Sequence, residues 1–112
     1  MDRVEHYREI LRRIVHEYAG YRPANGQIET EAVIDDERDH YEVIHAGWQG
    51  RRRVHGSVIH LDLKDGKVWI QHDGTSWPVA EQLAAAGIPR EDIVLAFHPP
   101  DVRHLTGYAV GD

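Results

Sequence analysis

A two-layer α+β domain is the fold this sequence predicts: an antiparallel β-meander packed on one side by two helices, in the order αββββαβ. Three observations predict it. An Asp65-Gly66 pair separates two strand-like runs, the N-terminal segment repeats apolar residues at three- and four-residue spacing, and a short wholly apolar run, Ile93–Phe97, follows a second helix signal. With 112 residues the chain can bury one core without metal or disulfide staples, so a single domain over residues 1–112 is expected.

The first helix starts at Asp2, a capping residue with Glu5 placed to reach back to it, and ends at Gly20. Val4, Tyr7, Leu11, Ile14, Val15 and Tyr18 form its apolar stripe. Its other face carries Arg3, Arg8, Arg12 and Arg13 beside Glu5, Glu9 and Glu17, which reads as a solvated surface with weak ion pairs. Residues 21–26, with Pro23 and Asn25-Gly26, form a loop into an extended segment, Gln27–Ile34, and the acidic turn Asp35–Asp39 reverses the chain. The meander spans Tyr41–His72, its strands joined by two-residue turns at Gln49-Gly50 and Asp65-Gly66. Thr75 or Ser76 caps the second helix, with Pro78 in its first turn. Val79, Leu83 and Ala86 mark the buried side of that helix, and Gly87-Ile88 forms its left-handed stop. Ile93–Phe97 is a strand buried on both faces, and Tyr108-Ala109-Val110 is the strand-like piece of the tail.

Composition excludes several function classes. Without Cys there is no disulfide, thiolate metal site or thiol nucleophile, which suits a reducing compartment. A net charge of −6 weighs against a domain whose main task is gripping phosphate backbone. The N-terminus has no basic-then-apolar leader pattern and no apolar stretch reaches membrane-spanning length, so a cytoplasmic protein is expected. The glycines form no phosphate cradle, and Ser57 and Ser76 have no nucleophile-elbow context.

Nine histidines raise the question of a metal, and the two turns set a register that answers it. That register puts His55 opposite Ile44, His45 opposite Val54, His60 opposite Gln71, and His40 and His72 on either side of Ile59, so no two histidines are direct neighbours. Neither a metal nor a cofactor site is expected, although apolar residues on both faces of the third strand, Val54 and Val58 against Ile59, Leu61 and Leu63, are the kind of pattern a bulge leaves. Asp35, Asp36, Glu37 and Asp39 lack the spacing of a calcium loop and read as a solvated hairpin end. Trp48, Arg51, Arg52 and Arg53 make a cationic, aromatic-tipped ribbon end able to touch an acidic protein surface or nucleic acid, and are the candidate partner-binding residues. Asp62-Leu63-Lys64 has the Asp-x-Lys form of magnesium-dependent nucleases and supplies the alternative, catalytic reading.

Several stretches taken together resemble the XisI family: Glu37–Tyr41, Gly47-Trp48-x-Gly50, Arg53-Val54-x-Gly56, Lys64–Gln71 with Asp73-Gly74-Thr75, and Pro89-x-Glu91 through Leu95-x-Phe97. The likeness runs from the first helix to about Gly111, with Ser76-Trp77-Pro78 departing from it. That family is named for a cyanobacterial factor controlling excision of the fdxN element. The resemblance implies a small α+β protein without catalytic residues, acting with a companion called XisH, itself similar to restriction-type nucleases, to assist a separate site-specific recombinase. A homo-oligomer is also expected, since Val54, Val58 and Trp69 oppose Leu61, Leu63 and Ile70 across the sheet while helices cover one face.

Overall fold

The computed structural model describes residues 2–21 and 27–111, so the expected loop at 22–26 lies outside the described residues. Asp2 caps helix α1 (Arg3–Ala19) by accepting the Glu5 N–H at 2.8 Å. A five-stranded sheet follows, ordered β1 (Gln27–Asp35), β2 (His40–Gln49), β3 (Arg52–Lys64), β4 (Lys67–Asp73) and β5 (Ile93–Leu95). The first four strands are antiparallel neighbours, and helix α2 (Val79–Ala85) carries the chain over to β5, which runs parallel to β4.

Tyr41, Val43, Ile59, Leu61, Val68 and Ile70 share one side of the sheet, where they join the apolar stripes of α1 and α2 in a single core. The helices also meet directly, with Gln82 Nε2 donating to the Tyr18 hydroxyl at 2.7 Å. Both therefore lie on one face, as the sequence predicts. The α2 start differs from expectation: neither Thr75 nor Ser76 caps it. Pro78 holds the N-cap position and the Asp73 carboxylate accepts the Val79 N–H at 2.8 Å, its other oxygen taking the Thr75 N–H at 2.9 Å. At the other end Gly87, with φ 112, lets the Ile88 N–H reach the Leu83 carbonyl at 3.1 Å while Ile88 is buried. β5 stops at Leu95, short of the expected Phe97, because a turn closed by the His98 N–H on the Leu95 carbonyl takes over and leaves Phe97 exposed.

The meander's turns and register decide which side chains face which way. Asp65-Gly66 is the predicted hairpin turn, with φ 55 and 75 and Lys64 opposite Lys67. The other turn is Gly50-Arg51 rather than Gln49-Gly50, since Gln49 pairs with Arg52 and Gly50, at φ 63, takes the first central position of a type II′ geometry. Two bulges then correct the expected pairing. Val43 pairs with Ile59 but Ile44 with Ser57, so Val58 is an extra residue in β3; His60 pairs with His72 but Leu61 with Ile70, so Gln71 is extra in β4.

The second face of the sheet is consequently less apolar than the sequence suggests. Val58 packs against the helix-side core, and Trp69 is covered by the C-terminal tail. That tail forms a short 3-10 helix, Pro100–Leu105, then a parallel bridge between Ala109 and Val94, and it brings Gly111 so close to Trp69 that an added Cβ would lie 2.7 Å from the indole. Arg103 fixes it by donating to the carbonyls of His98 at 3.0 Å and Ala96 at 3.2 Å.

The charged face of α1 and the acidic turn after β1 are one structure, not two solvated surfaces. Arg8 grips Asp39 with two donors, at 2.8 and 3.2 Å, and Arg12 reaches Asp36 at 2.9 Å, while Glu5 lies between both arginines at 3.1 Å. The Tyr41 hydroxyl donates to Asp36 at 3.0 Å from beneath. From the same N-terminal half of the helix the Tyr7 hydroxyl donates to the buried Asp92 carboxylate at 2.5 Å; burial first, then Asp92, pushes the Tyr7 pKa up to about 12.

Arg8 and then Arg12 hold the Glu5 carboxyl below its ordinary range, and Arg12 does the same for Asp36. Folded pKa values below the unfolded ones mean that this contribution is complete above about pH 4.5 and is lost as pH falls through the lower folded values. Melting curves at low salt should therefore show the parent losing more Tm on acidification than an Arg8→Ala, Arg12→Ala double variant. Equal acid sensitivity would contradict the network.

Candidate functional site

Alternation along the strands leaves a second sheet face that neither α1 nor α2 covers. β1 presents Glu29, Glu31 and Val33 there, β2 presents His40, Glu42, Ile44, Ala46 and Trp48, and β3 presents Arg53, His55, His60 and Asp62. The tail closes the β4–β5 end, so the open area runs from the Asp62 region to the Trp48 hairpin end.

At that end the structure brings together two of the four residues singled out in the sequence. Trp48 and Arg53 are cross-strand partners, and the Arg53 guanidinium lies over the indole at 5.2 Å while donating to the Gly47 carbonyl at 3.3 Å. Trp48 remains 49% exposed, a large aromatic held in place with half its surface free. Arg51 sits in the turn itself, and Arg52 pairs with Gln49 and points to the opposite face. Gly47 lets β1 close over this end, since a Cβ there would lie 2.0 Å from the Gln27 carbonyl oxygen.

The middle of the face holds a cluster that the turn-derived register hides. His40 stands opposite Asp62, and His60 lies two positions before Asp62 on the same strand and face. Both imidazoles converge on one carboxylate oxygen: His40 Nδ1 is in close contact with Asp62 Oδ1, and His60 Nε2 is 3.0 Å from it. Gln71, the bulged residue of β4, donates to Asp62 Oδ2 at 3.2 Å. The Asp62 hydrogen bond keeps the His40 imidazolium charged to higher pH than usual. Histidines expected to be apart thus become neighbours, His40 and His60 through Asp62 and His60 and His72 by direct pairing. The parity break around Val58 is the signal in the sequence that could have located the first bulge. Nothing comparable marks Gln71.

Comparison with known proteins places this architecture. The model of the XisI protein family matches residues 1–110. The chain belongs to the XisI family. A crystal structure of a XisI-like protein from Anabaena variabilis is similar with a TM-score of 0.90 and 39% identity, over 96% of this chain and 99% of that one. The fdxN element excision controlling factor XisI, also from Anabaena variabilis, is similar with a TM-score of 0.84 and 33% identity, over 98% and 100% of the two chains. No curated protein matches the chain.

Within this XisI fold, the pair that supplied the catalytic alternative does not converge. Asp62 is engaged by His40, His60 and Gln71, whereas the Lys64 ammonium lies over the Trp69 ring at 4.3 Å. Nor is the acidic turn arranged as a cation site, since Asp36 and Asp39 face Arg12 and Arg8. Because Trp48 and Arg53 contact each other at the surface, Trp48→Ala and Arg53→Glu should each change unfolding free energy by less than about 1 kcal/mol in urea titrations. A loss of several kcal/mol would mean that the pair belongs to the core.

Proposed function

We propose that this XisI-family chain is a non-catalytic controlling factor of DNA element excision, which works by docking a nuclease-like companion of the XisH type onto its open sheet face and Trp48 hairpin end. One observation supports this more than any other: Trp48 is a rigid, half-exposed aromatic braced by Arg53 at the rim of a face that neither helix covers. Aromatic and arginine anchors of this kind carry much of the energy of protein interfaces. The excision-control name of a relative 33% identical over nearly the whole chain supplies the process. A role in excision, assisting a separate recombinase, puts the work in the cytoplasm with the DNA. Among the described residues no helix is long and apolar enough to cross a membrane.

The cationic hairpin end and the acidic remainder of the chain divide the task. With a net charge of −6, the protein as a whole repels a phosphate backbone, and Arg51, Arg52 and Arg53 are better matched to an acidic patch on a protein. Surface plasmon resonance with the XisH-type companion tests this. Arg51→Glu with Arg53→Glu should slow association and flatten its salt dependence, and Trp48→Ala should speed dissociation by tenfold or more, at about 1.4 kcal/mol per factor of ten. Parent-like binding by all of these variants would exclude the hairpin end as the interface. Light scattering of the chain alone reports whether a second copy occupies the face instead, and magnesium-dependent DNA cleavage lost in Asp62→Ala would overturn the non-catalytic reading.

A further inference from the structure

The geometry points to a divalent transition-metal site, of the kind that takes Zn²⁺, built by His40, His60 and Asp62 on the open sheet face. Among the described residues this is the one group of three or more histidines and carboxylates whose ligand atoms lie within 4.8 Å of one another. A tetrahedral zinc with bonds of about 2.1 Å needs its ligand atoms about 3.4 Å apart, so modest rotation of the three side chains admits the ion. Asp62 Oδ1 already faces both ring nitrogens, and the ion would replace the hydrogen bonds that now join them.

Three further features favour a ligand set over a simple hydrogen-bonded triad. All three residues project from paired β-strands, which fix their spacing better than a loop would. Gln71 holds the carboxylate oxygen that faces away from the imidazoles, the usual task of a group that orients a metal-binding carboxylate. Access is open: the His40 side chain is 50% exposed and that of His60 32%, so an ion enters without unfolding the strand. Two imidazoles and one carboxylate suit zinc and its neighbours far better than magnesium or calcium, which prefer oxygen alone. Three protein ligands leave the fourth position to water. The site shares the open sheet face with the proposed companion dock but uses none of its anchor residues, and neither reading depends on the other.

Isothermal titration with Zn²⁺ in a non-chelating buffer at about pH 7.5 tests the inference. Saturation at one ion per chain is expected, with affinity falling at least about tenfold in His40→Gln, in His60→Gln and in Asp62→Asn, and unchanged in His55→Gln. Millimolar Mg²⁺ should not compete. A second measurement uses the parent alone: in NMR spectra, stoichiometric Zn²⁺ should shift the imidazole signals of His40 and His60 and leave those of the exposed His6 and His104 in place. Absence of saturable binding, parent-like affinity in the His40→Gln and His60→Gln variants, or shifts confined to other histidines would overturn the assignment.

Discussion

The extra residue in β3 reconciles two demands that the β2–β3 hairpin cannot otherwise meet together. From the Gly50-Arg51 turn the strands pair in step as far as Ile44 with Ser57, a register fixed by the glycine's positive φ. From the far end, Tyr41 and Val43 must face the helices together with Ile59, Leu61 and Leu63, each worth about 1.5–3 kcal/mol when fully buried. The two registers differ by one residue, and a one-residue slip would turn every side chain of a strand to the wrong face. Placing Asp62 and His60 in the core would leave polar groups without water, at a cost of about 1–3 kcal/mol or more for each unsatisfied group. Val58 absorbs the difference and joins the core itself.

What was legible in the sequence follows from this. Features encoded within a few residues were readable: the Asp2 cap, the stripe from Tyr7 to Val15, the Asp65-Gly66 turn and the Gly87-Ile88 stop all have local chemistry that admits few alternatives. Features that depend on distant partners were not. Asp73 caps α2 from across a turn, Arg8 and Arg12 reach the β1–β2 turn, and the tail returns over Trp69, none of which leaves a periodic trace. The candidate docking residues were visible because a tryptophan beside three arginines at a hairpin end is unusual in itself. The histidine cluster was invisible because one misplaced turn residue and the Val58 bulge moved His40 from beside Ile59 to face Asp62, while the Gln71 bulge set His60 against His72.

The fold divides the sheet's two faces by task. One is sealed by α1 and α2, with Tyr7 against Asp92 and the arginine network tying the first helix to the segment before β5 and to the β1–β2 turn. The other is sealed only at its β4–β5 end, where the tail and Arg103 cover Trp69. What stays open is a polar centre around Asp62 and an aromatic, cationic corner at Trp48.

Cross-strand NOEs between backbone protons of β2, β3 and β4 read the register that composes the open face. The twice-bulged register predicts contacts of His40 with Asp62, of His45 with Gly56 and of His60 with His72. Contacts of His40 with Ile59, of His45 with Val54 and of His60 with Gln71 would contradict it and dissolve the histidine cluster.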